Sequence, residues 1–252
     1  MTYAIISDIH SNIEALQVVL KDIDQRQVDE IICLGDVIGY GPNPIECADI
    51  IKERCSIVLC GNHDEALVQG AEAFNKYAKN AIAWTKSKLR PSLFGGSKAR
   101  LRKTFLEELP LRYERDGVLF VHASPRDPTC EYLLESDVIT RDQSRFEGVF
   151  TAFDKFCFNG HTHIPCVITE DLRYYSIQEL EYTWTYRGQR AVINVGSVGQ
   201  PRDRDARASY VTVDGPTVHW HRLDYPKEIT REKILRIRQL DDRLGERLLE
   251  GK

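Results

Sequence analysis

Asp, Asn and His side chains fall at the C-terminal ends of five short apolar runs in this 252-residue chain. "AIISDIH" delivers Asp8 and His10, and "IICLGD" delivers Asp36. "IVLCGNHD" delivers Asn62, His63 and Asp64, "LFVHASP" delivers His122, and "CFNGHTH" delivers His161 and His163. In an extended chain residues i and i+2 share a face, so His161 and His163 set two imidazoles side by side. His nitrogens mixed with carboxylate and amide oxygens, without thiolate, suit borderline divalent ions such as manganese, iron, nickel or zinc. The set exceeds what one tetrahedral ion takes and fits two, with one carboxylate bridging. Two ions about 3.5–4 Å apart can hold a hydroxide between them and stabilise the attacking and leaving oxygens at phosphorus. Singly, each stretch has a plainer reading: H-x-H also describes an exposed strand face, and Asp or Asn after a strand is an ordinary turn or cap residue. Five such stretches at one sheet edge, where open α/β sheets bind ligands, make the plainer reading hard to hold.

The elements that must position these residues follow from hydrophobic period. "YAIIS" reads as a buried strand, and "SNIEALQVVLKDIDQ" as a helix with Ile13, Leu16, Leu20 and Ile23 on one stripe. Ser11 and Glu14 fit a capping box at its start. "EIICL" is the next strand; Asn43 suits an N-cap and Pro44 the first helical position of "NPIECADIIKER". "SIVLC" is the third strand, and this alternation predicts right-handed crossovers and a largely parallel sheet. Over 65–112 the pattern changes. Phe74, Tyr77, Ala78, Ala81, Ile82 and Thr85 share a helical face, "RPSLFGGS" is a loop by composition, and "KARLRKTFLEELP" is a helix ended by Pro110. This segment reads as a helical insertion after the third strand. "GVLFV" and "KFCF" restore strands, while "YTWTYRGQRAVINV" and "SYVTVDGPTVHWHRL" read as hairpins, the second turning at Asp214-Gly215. Residues 228–250 read as an amphipathic C-terminal helix, with Ile234, Ile237, Leu240, Leu244 and Leu248 on its stripe. Nothing repeats at a fixed period, and 1–252 is expected to be a single domain.

The motifs D-x-H (Asp8, His10), G-D (Gly35, Asp36), G-N-H-D (Gly61 to Asp64), a lone His after a strand (His122) and G-H-x-H (Gly160 to His163) occur in this order. Over residues 5 to 165 the chain therefore resembles the calcineurin-like metallophosphoesterases. The resemblance implies a four-layer α/β/β/α sandwich. It implies a first metal held by Asp8, His10, Asp36 and His163, and a second held by Asp36, Asn62, His122 and His161. It makes His63 the residue that protonates the leaving oxygen or contacts the phosphate, with Asp64 orienting its ring. Family members that act on phosphoproteins, and the symmetrically cleaving dinucleoside tetraphosphatases, carry an arginine shortly after G-D. Here "GDVIGYGPNP" has Gly39, Tyr40 and Gly41. The departure predicts less grip on a dianionic monoester, activity on phosphodiester or phosphoanhydride bonds, and an aromatic-bearing rim at Tyr40. The longer pattern is closer to bacterial diadenosine-tetraphosphatase-like phosphodiesterases. Three rivals remain: a small-molecule or protein phosphomonoesterase on the same site; a non-catalytic scaffold on the same fold, against which every motif position is filled; and a DNA nuclease, which would want a basic groove.

Composition narrows the partners. Hydrophobic residues make up 42% and charged residues 29%, as in globular proteins, and a net charge of −4 lacks a nucleic-acid binder's basic surplus. The longest apolar runs are strand-sized, short of the roughly 20 residues of a membrane helix. Met1 runs into a strand pattern without a secretory leader's basic and apolar regions. Seven cysteines without C-x-x-C read as small buried hydrophobes in a reducing compartment. The expected setting is cytoplasmic, with a small phosphate-ester substrate, no membrane and no stable nucleic-acid complex. His219 and His221 in "HWH" lie inside a strand pattern and read as a strand face. Arg202, Arg204 and Arg207 in "NVGSVGQPRDRDAR" read as a turn with solvated charges, the alternative being a loop that approaches substrate phosphate. Tyr77 and Trp84 read as core, the alternative being base stacking.

Overall fold

Both faces of the site-bearing strands are apolar, and each face meets a different layer. The computed structural model describes residues 2–90, 96–140 and 143–252. In β1 (Thr2–Ile6), Ala4 and Ile6 turn toward helices while Ile5 turns toward a second sheet. In β2 (Glu30–Cys33), Ile31 and Cys33 face the helices and Ile32 the second sheet. That is the period-two alternation of strands covered on both sides. β3 (Ile57–Val58) completes a parallel trio, joined by α1 (Ile13–Arg26) and α2 (Pro44–Arg54). The cap of α1 lies one residue past the expected box. The Asn12 side chain accepts from Ala15 N at 3.2 Å, while Glu14 bonds Thr230 and Lys233 near the C-terminus.

α3 (Asn62–Gln69), α4 (Lys76–Leu89) and α5 (Ser97–Glu107) follow β3, where the helical insertion was expected. The loop expected over "RPSLFGGS" falls mostly on 91–95, outside the described residues. Arg102 fastens α5 to α2, bonding both oxygens of Asp49 at 2.7 Å.

The chain continues through β4 (Arg112–Arg115), β5 (Val118–Val121), α6 (Glu135–Ile139), α7 (Gln143–Phe146), β6 (Phe156–Asn159), β7 (Cys166–Thr169) and β8 (Tyr174–Ser176). Then come β9 (Thr183–Thr185), β10 (Ala191–Asn194), β11 (Ala208–Asp214) and β12 (Thr217–Leu223). Strand order is β3-β2-β1-β11-β12-β9 in one sheet and β4-β5-β6-β10-β7-β8 in the other. Phe120, Phe158 and Ile193 interlock with Ile5, Ile32 and Val211 between the sheets. On the outer face of the second sheet Leu119, Val121 and Cys157 pack on Val138 and Phe146 of α6 and α7. The result is the expected four-layer α/β/β/α sandwich.

Three expectations need correction. The sheets are mixed, because β11 runs antiparallel to β1 and β7 antiparallel to β10. "YTWTYRGQRAVINV" is no hairpin: β9 joins β12 in the first sheet, while β10 lies between β6 and β7 in the second. Its alternation fits either pairing, so long-range packing chooses the partner. The stretch 228–250 folds as two helices, α8 (Lys227–Leu235) and α9 (Arg243–Glu250). Asp241 supplies a start signal inside it, its side chain accepting from Arg243 N at 3.1 Å. Gly245 lets α9 close on Arg231, where a Cβ would press on backbone. Folded back, Ile234, Leu240, Leu244 and Leu248 pack with Ala78, Ala81 and Trp84 of α4 around Tyr40.

Candidate metal centre

The ends of β1, β2 and β3 in one sheet and of β5 and β6 in the other meet along one edge of the sandwich. The chain leaves them through left-handed backbone at Asp8 (φ 54°), His10 (47°), Asp36 (51°), His161 (62°) and His163 (62°). Such conformations cost of order 1–3 kcal/mol per non-glycine residue and persist where the surroundings enforce them, commonly at functional sites. The motif glycines make room for ligands. A Cβ at Gly61 would collide with the Asp36 carboxylate, and one at Gly160 with that of Asp8.

Asp8, His10, Asp36 and His163 are buried and bring ligand atoms within 4.8 Å of one another. His163 Nε2 lies 3.1 Å from Asp8 Oδ1 and 3.1 Å from His10 Nε2, and His10 Nε2 lies 3.5 Å from Asp36 Oδ2. His122 Nε2 is also 3.5 Å from Asp36 Oδ2, and 3.2 Å from Asn62 Oδ1. Asp36 thus faces both groups.

The remaining atoms of these side chains are committed. Nδ1 of His10, His122 and His163 donates to the carbonyls of Ile38 (3.3 Å), Leu34 (3.2 Å) and Gln200 (2.5 Å). A carbonyl only accepts, so each Nδ1 carries the ring hydrogen and each Nε2 is a bare lone pair in the neutral ring. Asp8 Oδ2 accepts from His161 N at 3.0 Å, and Asp36 Oδ1 from His63 N at 2.8 Å. What converges is therefore all acceptor: Asp8 Oδ1, Asp36 Oδ2, Asn62 Oδ1 and three Nε2 atoms. Asp8 Oδ1 is buried with no hydrogen-bond partner among the described residues. Acceptors facing acceptors in a buried place are costly unless a cation lies between them. The donor set fits metal ions, and the carbonyls behind the rings are the outer partners that hold a ligating imidazole. His161 stands apart, with its Nε2 donating to the Cys130 carbonyl at 3.2 Å and its ring 5.0 Å from that of His122. Nδ1 is its remaining nitrogen.

Charge follows burial. Burial, first of all, holds His10, His63 and His163 well below the usual imidazole range and His122 down to about 3. Asp36 moves the other way, pushed well up by burial and then by the charges of Asp64 and Asp8. The ligand imidazoles of His10, His122 and His163 stay neutral, as ligands must be.

His63 packs edge-on against His10 (4.8 Å between centroids) and Phe74 (5.0 Å) and lies 4.3 Å from the Tyr40 ring. Its Nδ1 is buried without a partner among the described residues. Asp64, expected to orient that ring, does something else. It accepts from the backbone N–H groups of Val37 (3.2 Å), Ile38 (3.2 Å) and Gly61 (3.1 Å). It thereby pins the loop that carries Asp36, and burial still raises its carboxyl to about 7.

A cavity of about 270 Å³ opens over this floor, lined by Asp36, Asn62, His63, His161 and His163 below and by Tyr40, Phe74, Tyr132 and Arg202 around it. Arg202 is the one loop arginine that reaches the cavity; Arg207 pairs with Asp205. Arg202 follows β10, so a guanidinium reaches the cavity from a loop other than the one after G-D. Tyr40 is no open rim: it is 9% exposed and packed beneath the C-terminal helices. The exposed aromatic is Tyr132, at 41%, lying over His161 with centroids 4.0 Å apart. Trp84 is core, as expected, and Tyr77 stacks under Arg243 at 3.7 Å. His219 and His221 face Thr183 and Thr212 across the sheet.

A two-sheet sandwich with this acceptor-lined edge defines a metal-dependent class of phosphoric-ester hydrolases. The calcineurin-like phosphoesterase superfamily domain matches residues 1–217, and the chain belongs to that family. An uncharacterized protein of Methanocaldococcus jannaschii is 38% identical over 99% of this chain and 98% of its own length. The crystal structure of a metallophosphoesterase from Sphaerobacter thermophilus superposes with a TM-score of 0.81 at 33% identity, covering 100% of both chains. A hypothetical protein of Pyrococcus horikoshii OT3 shares the fold, with a TM-score of 0.74 at 18% identity over 100% of this chain and 98% of that one.

Proposed function

We propose that this phosphoesterase works with two metal ions on phosphodiester or phosphoanhydride bonds of small nucleotide-type molecules. The observation that carries the reading is the convergence of six acceptors, five on buried residues and one on half-buried Asn62, from strand ends of both sheets, with Asp36 facing both groups. Asp8, His10, Asp36 and His163 would hold one ion, and Asp36, Asn62, His122 and His161 the other. Manganese, iron, nickel and zinc all suit these donors. Ions bound there supply Lewis acidity at the phosphoryl oxygens and lower the pKa of water.

The chain's own groups do the rest. His63 lines the cavity beside the floor; with a phosphate bound, the substrate's negative charge offsets the burial that otherwise keeps this ring neutral, and it delivers a proton to the leaving oxygen. Asp64 acts through the Asp36 loop rather than through the His63 ring. Arg202 binds phosphoryl oxygens, and Tyr132 offers a base an aromatic face worth roughly 1–3 kcal/mol. All seven cysteines are free, which favours a reducing cytoplasmic setting. No helix among the described residues is long and apolar enough to cross a membrane.

The test is reconstitution with manganese or iron, then hydrolysis of bis-nitrophenyl phosphate, nitrophenyl phosphate and diadenosine tetraphosphate. Turnover of the diester or the anhydride that exceeds the monoester supports the reading. A clear preference for nitrophenyl phosphate would make the protein a small-molecule monoesterase.

A further inference from the structure

The cavity's wall has chemistry opposite to its floor. Arg202 Nε is buried without a partner, as are Nε and Nη2 of Arg247, which reaches over from α9. Among the described residues neither of these half-buried arginines has a carboxylate within ion-pair distance, although the other buried or half-buried arginines have one, such as Arg102 with Asp49 and Arg222 with Asp203. The two guanidiniums flank Tyr40, at 5.9 Å and 4.6 Å from its ring. Burial and then the charge of Arg202 push Arg247 down to about 10. Leaving two half-buried cations with buried, unpartnered nitrogens uncompensated is costly, and a fold that keeps them has a use for an anion.

The neighbouring hydroxyls and amide point the same way. Tyr40, beneath the Arg247 guanidinium, and Tyr132 line the same cavity as Arg202. A phenol can donate its hydrogen as well as accept, so both hydroxyls can serve an anion there. Asn75 spends its side-chain oxygen on Tyr77 N and Ala78 N at the start of α4, which leaves its amide N–H groups toward the same cavity. Gln200 Oε1 takes one Arg202 N–H at 2.9 Å, and Arg202 has five to give.

The geometry points to an anion subsite beside the metal floor, formed by Arg202, Tyr40, Tyr132 and Asn75, that receives the phosphoryl group next to the scissile one. The substrate class is then a phosphoanhydride, and Arg247 is a positioning residue that acts through Tyr40. This inference rests on the two-ion reading above, and charge balance carries it. Two divalent ions over Asp8 and Asp36, with a hydroxide between them, leave one positive charge, to which Arg202 and Arg247 add two. A monoester dianion leaves one of these three uncompensated, and a singly charged diester leaves two. A phosphoanhydride carries the further charge.

The experiment measures calorimetric binding of methylenediphosphonate and of inorganic phosphate to the metal-loaded protein, with metal content and nitrophenyl ester hydrolysis followed in parallel. The diphosphonate is expected to bind at least about ten-fold tighter than phosphate. Arg202→Gln should weaken the diphosphonate by about ten-fold or more, the worth of one charge-assisted hydrogen bond, and weaken phosphate much less. Tyr132→Phe, at an exposed position, should show the same asymmetry on a smaller scale. Arg247→Gln should follow Arg202→Gln, and Arg247→Lys, which keeps the charge, should recover part of the loss. Equal affinity for the two probes, or variants that weaken both equally, would overturn the subsite while leaving the phosphoesterase reading intact. A protein that binds no metal and hydrolyses no ester would overturn both.

Discussion

The floor and the wall of the cavity differ in where they come from as well as in charge. The floor is built on the ends of buried strands, with acceptors forced together by left-handed turns and by glycines that yield space to carboxylates. The wall comes largely from loops outside the five motifs, with Arg247 of α9 packed behind it on Tyr40, and it presents donors. In this chain the acceptors thus belong to the sandwich itself, whereas the donors belong to what the chain drapes over that edge.

Asp36→Asn should have the largest effect on this contrast, since Asp36 Oδ2 lies 3.5 Å from both His10 and His122. Metal affinity should fall at both positions by more than the roughly 10–100-fold typical of losing an outer partner; elemental analysis of dialysed protein reads it. An Asn variant that keeps full metal content would break the floor's description. His63→Ala sits where floor meets wall. It should keep its metal and lose about 10²–10⁴-fold in turnover on alkyl leaving groups, with a smaller loss on nitrophenolate, which needs no proton. An equal loss on both would make His63 a phosphate-positioning residue.

Asp64→Ala tests whether the floor is held from behind. It leaves three backbone N–H groups unpartnered, a loss of about 2–5 kcal/mol and a fall in Tm of roughly 5–15 °C. An unchanged Tm would mean the Asp36 loop holds without it.

The smallest effect belongs to a pair remote from both regions. Tyr210 and Arg26 donate to Asp22 at 2.5 and 2.7 Å. Burial alone would raise the Asp22 carboxyl, but these donors outweigh it and hold it below its ordinary 3.8. A carboxyl depressed in the folded state adds stability above its ordinary value and loses it as pH falls through the depressed one. Asp22→Asn should therefore flatten the Tm–pH curve below about pH 4 by a few degrees at most, with metal content and anion binding untouched. A shift in either binding property would show the two regions to be less separate than described.

Much of the floor was legible because apolar runs announce strands and the residues that end them announce themselves by type. Its geometry was less so. Left-handed backbone at Asp8 or His163 is imposed by contacts distant in sequence, and Asp64 looks like a partner for its neighbour until the N–H groups of Val37 and Ile38 come into reach. The wall was harder. An arginine on an amphipathic helix usually means a solvated face, and Arg247 reaches the Tyr40 ring behind the cavity only because the chain folds back between α8 and α9. That fold-back also covers Tyr40, which a glycine-flanked loop makes look exposed. Arg202 did carry a signal, a glycine-rich loop with arginines, but the same pattern describes a solvated turn. The pairing of β9 and β10 with strands of different sheets left no local trace at all.

The most direct test of the account is a metal-soaked crystal examined by anomalous scattering. It predicts two peaks per chain: one among Asp8, His10, Asp36 and His163, the other among Asp36, Asn62, His122 and Nδ1 of His161. A single peak with the second group empty at saturating metal, or no peak at all, would contradict the two-ion floor on which the rest depends.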